Sequence, residues 1–256
     1  MDICFDAVSH SFTGASRGRD ATRPVAVLDN ISLTVASGEF VAVVGPSGGG
    51  KTTLLRLAAG LLRPQRGSVR IGGGEVDGRS AYQPQRDLLL PWRRVLANTT
   101  LAADAAGVDT GHSRVRAVDL LERVGLGEFT RAWPAQLSGG MRQRVALLRT
   151  HLSPRPVVLF DEPLGSLDAL TRRDLQQWLE ELHLAQPRTT VLVTHDIEEA
   201  LLLADRVVVL SDRPAAVTAV HDVTLPRPRP VGTETTPGFI TARATILDAL
   251  RPVPHP

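Results

Sequence analysis

The sequence predicts an α/β protein in which a mostly parallel sheet has helices on both faces. The first observation is that short aliphatic runs alternate along the chain with segments of helical period. The second is that these runs lack polar alternation, which is typical of parallel strands buried on both faces. The third is a glycine-rich stretch at 45–50, which lies between one run and a helical segment. We therefore expect a functional site at the carboxyl ends of the strands.

Length and composition limit the possible classes of protein. The chain has 256 residues, which fits one large domain or a domain with a smaller lobe. Its 29 basic and 27 acidic residues leave a formal charge of +2, and the arginines are scattered, so nothing indicates a nucleic-acid partner. Cys4 is the single cysteine, and we find neither a secretory signal nor an apolar run of about 20 residues. These features predict a cytoplasmic protein that reaches a membrane only through a partner.

The first elements are two alternating segments, 3–12 and 25–36, which predict an antiparallel β subdomain with an exposed polar loop at 13–23. Four continuous runs are predicted to be the buried strands of the main sheet: 40–44, 156–160, 190–194 and 206–210. Apolar residues recur at helical spacing after Lys51, and again around Trp178. The spacing places Trp178 in the core.

Residues 88–135 are predicted to form a helical subdomain, because helical period dominates there between glycines and a proline. Its predicted apolar stripe consists of Val115, Val118, Leu121 and Val124. We assign 1–224 to the main domain and 225–256 to a Pro-rich C-terminal tail. The tail is interpreted as an extended, solvated connector that leads into a short helix over 240–250.

The stretch from 45 to 53 has the composition and context of a phosphate-binding P-loop, since it follows a strand and opens a helix. Its glycines let backbone N–H groups face a phosphate, and the helix N-terminus adds partial positive charge. Lys51 is predicted to reach the β- and γ-phosphates of ATP, and the Thr52 hydroxyl to ligate Mg²⁺. The predicted ATP-binding residues of this loop are Gly45, Pro46, Ser47, Gly48, Gly49, Gly50, Lys51, Thr52 and Thr53. The alternative is a glycine-rich turn that binds nothing, and the flanking strand and helix argue against it.

Asp161 and Glu162 follow a buried strand, which puts both carboxylates at the same edge of the sheet as the P-loop. Asp161 is predicted to hold Mg²⁺ through water, and Glu162 to activate the attacking water as a general base. An acidic pair after one apolar strand is a weak signal alone, where a helix cap explains it equally well. Downstream of a P-loop the pair indicates an ATPase.

The segment 137–144, with the sequence LSGGMRQR, lies between the P-loop and the acidic pair. In that order the three motifs resemble the ATP-binding-cassette (ABC) ATPases, and the resemblance covers nearly the whole chain. It implies a P-loop NTPase core and a head-to-tail homodimer that encloses ATP. The signature residues implied to contact the ATP of the opposite subunit are Ser138, Gly139 and Gly140. Met141 and Gly49 depart from the residues more frequent in the family, which we interpret as tolerated variation.

Further family elements follow by position. Asp168 resembles part of the dimer-contacting loop, and His195 resembles the switch histidine that contacts the γ-phosphate during catalysis. We choose Gln85 over Gln83 as the glutamine that senses γ-phosphate and Mg²⁺, because its distance to the following Leu-Pro-Trp fits the pattern. The implied Mg²⁺ ligands are Thr52, Gln85 and Asp161. Phe12 lies where an aromatic residue usually stacks on adenine, although packing within its strand explains it nearly as well.

The loop after Gln85 is similar to that of importer ATPases of the nitrate, sulfonate and taurine group. Its residues implied to contact a permease are Leu90, Pro91 and Trp92. The resemblance implies an ATP-hydrolysing subunit that energises uptake of a small anionic or polar solute. Its implied partners are an integral-membrane permease and, indirectly, an extracytoplasmic solute-binding protein, with the ATPase peripheral on the inner face of the membrane. The alternative for Trp92 is packing within the helical subdomain.

Three other functions are weighed against uptake. A soluble DNA-maintenance ATPase shares the motifs, but 52–137 lacks sustained heptads and a basic surface is missing. A regulatory module that binds ATP without hydrolysis is disfavoured by the intact Lys51, Glu162 and His195. A two-component exporter stays open, and only the Leu-Pro-Trp loop argues against it. The chain does not specify the transported solute.

Overall fold

The computed structural model describes residues 1–13, 24–165 and 167–251. A three-stranded antiparallel sheet comes first, formed by β1 (Ile3–Thr13), β2 (Pro24–Val35) and β4 (Arg66–Ile71) in the order β2-β1-β4. Ile3 pairs with Val35 and with Ile71, so β1 is the central strand. The predicted antiparallel subdomain is therefore confirmed. Most of the polar loop predicted at 13–23 lies outside the described residues.

The main sheet has six described strands in the order β5-β6-β7-β3-β8-β9. They are β3 (Phe40–Val44), β5 (Ser80–Gln83), β6 (Val157–Asp161), β7 (Thr189–Val193), β8 (Arg206–Leu210) and β9 (Val217–Asp222). All neighbours are parallel except β9, which runs antiparallel to β8 at one edge. The four predicted strands are found within one residue of their expected bounds. A mostly parallel sheet is thus confirmed.

The described helices are α1 (Lys51–Ala58), α2 (Val95–Thr99), α3 (Leu101–Ala105), α4 (Thr110–Arg123), α5 (Gly139–His151), α6 (Ala169–Ala185), α7 (Ile197–Leu203) and α8 (Pro237–Ala249). Some of them cover the main sheet, and α2 to α4 lie within the range predicted as a helical subdomain. Alternate residues of β3 belong to two cores: Ala42 packs with α5 to α8, and Val43 packs with α1 and the antiparallel sheet. Helices and sheet thus sandwich β3, and Trp178 is buried as predicted. No helix in the described ranges is long and apolar enough to span a membrane.

The predicted stripe of α4 is wrong in part. Val115 is 74% exposed, whereas Ser113 and Ala117 are buried together with Leu120 and Leu121. Small side chains at 113 and 117 let α4 pack closely against its neighbours, so the buried face includes residues of low hydrophobicity. A prediction that considers only large aliphatic residues therefore assigns the wrong buried face to α4.

The Pro-rich tail is not a solvated connector, which corrects the sequence interpretation. Arg229 is only 4% exposed, and its guanidinium donates to the carbonyls of Leu201 and Ala204 at 2.9 and 2.7 Å. The backbone N–H of Arg229 donates to both carboxylate oxygens of Glu180, each at 2.9 Å. These contacts satisfy the last carbonyls of α7, which have no partner within the helix. The following helix, α8, buries Phe239 against the same core.

We expect Arg229→Ala to lower the free energy of unfolding by about 3–5 kcal/mol. The change orphans buried carbonyls of α7 and removes a cation that is fixed next to Glu180. Urea denaturation measures the loss. The matched control is Arg243→Ala, because Arg243 forms a half-exposed pair with Glu198 at 3.2 Å and should cost less than about 1 kcal/mol. Equal losses in the two variants contradict the account of the tail.

Candidate nucleotide-binding site

The P-loop joins β3 to α1 and depends on glycine at two positions. Gly48 has φ +77° and Gly50 has φ +96°, values that side-chain-bearing residues rarely adopt. A Cβ on Gly50 would lie 2.8 Å from the side chain of Leu28 and 3.0 Å from that of Val27. The loop is therefore packed directly on β2. This packing fixes the point where the backbone turns into the first N–H groups of α1.

Lys51 lies inside this loop at the start of α1. Its Nζ donates to the carbonyl oxygens of Gly45 and Pro46, both at 2.8 Å. Burial lowers the pKa of Lys51, and the nearby carboxylates of Glu162 and Asp161 oppose the shift. The ammonium is thus held at the mouth of the loop where a helix N-terminus already favours anions.

Asp161 is the second anchor of the site. Its Oδ1 accepts from the Thr52 hydroxyl at 2.9 Å, and its Oδ2 accepts from the Tyr82 hydroxyl at 3.1 Å. Burial raises the pKa of Asp161, and these two hydrogen bonds oppose the shift. Burial, with the adjacent Asp161 charge, raises the pKa of Tyr82 to about 12, so Tyr82 stays a donor. Sequence reasoning missed Tyr82, which is 79 positions from its partner.

The donor set fits Mg²⁺. The Thr52 hydroxyl and Asp161 carboxylate are adjacent hard oxygen ligands, and Mg²⁺ proteins commonly supply one or two such groups while phosphate oxygens and waters complete the octahedron. Across the described ranges, no cluster of three or more His, Cys, Asp or Glu side chains could hold a metal ion. The arrangement therefore suits an ion that arrives with a nucleotide.

Glu162 is held in an uncommon backbone conformation next to these groups. Its φ is +49°, and its N–H donates to the Val193 carbonyl at 2.9 Å across the β6–β7 pair. Its Oε2 lies 3.1 Å from Gln85 Nε2 and 3.3 Å from His195 Nδ1. Backbone strain that the surrounding sheet maintains is common at functional sites. The three residues predicted to act on the γ-phosphate thus meet at one carboxylate oxygen.

These groups line one cavity of about 460 Å³, a suitable volume for a nucleotide's phosphate end. The lining residues are Ser47, Gly48, Gly50, Lys51, Thr52, Thr53, Gln85, Glu162, His195 and Arg213. Arg213 was not predicted. Its guanidinium donates to the Gly48 carbonyl from a loop that follows β8, 165 positions along the chain. No local motif marks that arginine.

Gln83 and Gln85 have different environments. The Gln83 side chain is fully buried and forms no hydrogen bond within the described residues, whereas Gln85 contacts Glu162. The placement is the one that the choice of Gln85 requires. Phe12, by contrast, lies outside the cavity lining, is 40% exposed, and packs edge-to-face on His10 at 4.8 Å between ring centroids. Its stacking on adenine stays a prediction.

The signature residues lie at the N-terminus of α5, away from the cavity of their own chain. Ser138 caps the helix by accepting from the Met141 N–H at 3.2 Å. Asp168 similarly caps α6 by accepting from the Thr171 N–H at 3.0 Å. Ser166, two positions before Asp168, lies outside the described residues. Both helix starts are therefore ordered without any contact to the chain's own P-loop.

A buried carboxyl group supports the loop that carries His195. Glu199 accepts from the Thr194 hydroxyl, and Thr194 in turn accepts from the Asp196 N–H at 3.0 Å. Burial raises the pKa of Glu199 to about 7, against the opposing hydrogen bond from Thr194. The structure shows that Glu199 holds the turn before His195.

We expect Glu199→Gln to remove a pH dependence of stability. Because the folded pKa of about 7 exceeds the ordinary 4.5, the folded state binds the extra proton between those values. Stability is therefore lost as pH rises through that window, by about 3 kcal/mol in total. Urea denaturation at pH 5 and pH 8 measures the slope in the parent, in Glu199→Gln and in the exposed control Glu198→Gln. An unchanged slope in Glu199→Gln contradicts this role.

The fold and this site define a P-loop ATPase of the cassette type. A family model described as ABC transporter matches residues 28–165. The aliphatic sulfonates import ATP-binding protein SsuB 1 of Rhodococcus jostii is 50% identical over 215 residues, which cover 84% of this chain and 82% of that protein. The uncharacterized ABC transporter ATP-binding protein MJ0412 of Methanocaldococcus jannaschii is 43% identical, with 89% and 85% covered.

Solved structures support the assignment to the cassette class. The dimeric ATP-binding cassette MJ0796, in a post-hydrolysis state bound to ADP and Pi, superposes with a TM-score of 0.76 and 27% identity. The match covers 87% of this chain and 99% of that chain. The chain belongs to the ABC transporter family, whose ATPase subunits use ATP with Mg²⁺.

Proposed function

We propose that this chain is the ATP-hydrolysing nucleotide-binding subunit of an ABC importer that takes up a small anionic solute of the aliphatic-sulfonate kind. One observation supports ATP hydrolysis most directly. Gln85 and His195 both contact the same carboxylate oxygen of Glu162, beside the P-loop. The name of the sulfonate-import relative, at 50% identity, supports the choice of solute. Growth and uptake experiments test this choice of solute.

The geometry supports hydrolysis of the ATP γ-phosphate by water. The P-loop N–H groups and Lys51 bind the phosphates, and Thr52 with Asp161 holds Mg²⁺. When bound, Mg²⁺ neutralises charge on the phosphate oxygens. Glu162 takes a proton from the attacking water, while His195 and Gln85 fix the position of its carboxylate. ADP and inorganic phosphate are the products.

A second copy of the chain supplies the missing wall of the site. Ser138, Gly139 and Gly140 start an ordered helix whose N–H groups suit an anion, yet they lie outside the cavity of their own chain. A head-to-tail homodimer brings them to the γ-phosphate of the opposite subunit. Asp168 lies at the start of α6, where the dimer-contacting loop joins that helix. The solved relative MJ0796 is itself dimeric.

A groove beside the helical lobe suits a cytoplasmic segment of the permease. Its cavity is about 590 Å³, with an apolar wall that includes Leu88, Leu101 and Ala105, and with Arg56 and Arg155 among its basic residues. An apolar segment that carries an acidic residue complements this lining. Leu90, Pro91 and Trp92 follow the groove residue Leu88 closely in the chain, and Trp92 is 70% exposed. On this proposal the subunit is peripheral on the inner face of the membrane.

We expect Trp92→Ala to weaken permease binding about tenfold or more, because a large exposed aromatic residue is a typical interface anchor. Pull-down of the permease by the tagged subunit, as a function of subunit concentration, measures the change. The matched control is Leu247→Ala on α8, which removes an exposed apolar residue far from this loop in sequence. ATPase activity of the isolated subunit should be unchanged in both. Parent-like binding by Trp92→Ala contradicts the assignment.

Growth tests the solute and the direction of transport together. A strain that lacks the gene should lose growth on aliphatic sulfonates as the sole sulfur source, with normal growth on sulfate. It should also lose uptake of a labelled sulfonate, which an extracytoplasmic solute-binding protein delivers to the permease. The wild-type gene should restore both, and Glu162→Gln should restore neither. Normal uptake with increased cellular retention of another solute would instead identify a two-component exporter.

A further inference from the structure

A cluster of three basic side chains lies apart from the nucleotide cavity, where the helical lobe meets the main domain. His151, at the end of α5, is 7% exposed. Arg188 Nη2 lies 3.0 Å from its Nδ1, and Arg116 Nη2, from α4, lies 3.4 Å from its Nε2. One imidazole is thus approached by a guanidinium on each ring nitrogen. The three residues come from three separate segments.

The hydrogen bonding of this cluster contains more donors than acceptors. Burial and the two arginines lower the pKa of His151 to about 3, so its ring is neutral at physiological pH. A neutral imidazole has one acceptor nitrogen and one N–H donor, while a guanidinium only donates. Whichever tautomer forms, one guanidinium therefore faces the N–H of the imidazole, and that contact has two donors and no acceptor. An oxygen acceptor placed there removes the mismatch.

The charges of the cluster also favour an oxygen acceptor at this position. Neither Arg116 nor Arg188 forms an ion pair with a carboxylate of the described residues, and Asp119 on the same helix pairs with Arg123 at 3.3 Å. Burial and the Arg116 charge lower the pKa of Arg188 to about 10. Two adjacent cations without a counter-charge are costly when partly buried. An anion that accepts from both guanidinium groups offsets both the repulsion and the desolvation.

The cluster is also held in position before any ligand arrives. Arg188 Nη1 donates to the Ser153 carbonyl at 2.9 Å, which fixes its guanidinium at the end of α5. Arg116 Nη2 lies 3.4 Å from Gln186 Oε1, and the His151 ring packs edge-to-face on Trp178 at 5.7 Å between centroids. Fixed guanidinium groups lose less entropy when they bind an oxyanion.

We propose that Arg116, His151 and Arg188 form a binding site for a small tetrahedral oxyanion, of the sulfate or phosphate class, that bridges the helical lobe and the main domain. The anion accepts from both guanidinium groups and from the imidazole N–H. The site does not depend on the transported solute or on the P-loop. It joins α4 to the end of α5 and to the segment that precedes β7.

Trp178 provides a local optical probe of this site. The chain has three tryptophans, so Trp92→Phe with Trp133→Phe leaves Trp178 as the only indole, next to His151. In that background, with Mg²⁺ and ADP saturating the P-loop, sodium sulfate is titrated against sodium chloride of equal ionic strength. Sulfate is chosen because its charge is constant from pH 6 to 8, and sodium phosphate forms a second arm. We expect a saturable change in Trp178 emission with both oxyanions and none with chloride.

Variants identify the residues responsible. Arg116→Gln and Arg188→Gln should each raise the apparent Kd for sulfate about tenfold or more, as expected for loss of a charge-assisted hydrogen bond. The matched control Arg114→Gln removes a positive charge from an exposed position of the same helix and should bind sulfate like the parent. Circular dichroism confirms that each variant is folded. A chloride response equal to that of sulfate, or sulfate binding that survives both variants, overturns the proposal.

Discussion

Glu162→Gln should strongly reduce turnover of ATP while ATP binding persists. The substitution keeps the shape and the contact to Gln85, but removes the oxygen charge that accepts a proton from water. We expect kcat to fall by about 10² to 10⁴, the range for loss of a general base. Because binding energy is retained, the ATP-bound homodimer should accumulate and elute as a dimer in gel filtration.

The control for this variant is Glu181→Gln on the exposed face of α6. It removes the same charge without any contact to the cavity and should hydrolyse ATP at the parent rate. Steady-state phosphate release measures both variants at saturating ATP and Mg²⁺. If Glu162→Gln hydrolyses ATP at the parent rate, another group is the base, and the role of the carboxylate is restricted to positioning.

Lys51→Ala should weaken ATP binding at least about 100-fold. Lys51 is the only lysine of the chain, and its ammonium lies inside the P-loop at 2.8 Å from two backbone carbonyls. Loss of a charge-assisted contact to phosphate typically costs about 1.5–3 kcal/mol per hydrogen bond, and this ammonium has three donors. Isothermal titration with ATP and Mg²⁺ measures the affinity.

Arg63→Ala serves as the matched control, since Arg63 is exposed and lies beyond α1. It should bind ATP like the parent. The single lysine also permits a test without mutation, because amine acylation can modify only Lys51 and the N-terminus. ATP should protect Lys51 from acylation and leave the N-terminus reactive. Equal acylation of Lys51 with and without ATP would falsify its position at the phosphates.

The sequence predicts the parts of this fold that have a strong local pattern. The strands β3, β6, β7 and β8 are continuous aliphatic runs buried on both faces, and all four were predicted. By contrast, β4, β5 and β9 were not assigned, since β5 has only four residues and β4 and β9 are half-exposed edge strands. A strand can be predicted from the hydrophobic pattern of the sequence only when it is long enough and sufficiently buried.

The catalytic motifs are also local, whereas the residues that support them are not. The P-loop and the acidic pair each occupy one short segment, so their spacing alone indicates the chemistry. Tyr82 and Arg213 contact these motifs from 79 and 165 positions away, and only the folded sheet brings them together. Arg229 was misread for the same reason, because an arginine between prolines gives no local sign that α7 carbonyls will surround it.

The central claim is that this subunit powers a membrane permease, and co-purification tests it most directly. Tagged Glu162→Gln protein is purified from native membranes with ATP and Mg²⁺, and with ADP as the matched control. We expect an integral-membrane permease to co-elute with ATP, in a ratio of two ATPase subunits to one transport assembly, together with an extracytoplasmic solute-binding protein. Recovery of DNA-maintenance proteins without any membrane protein contradicts the claim.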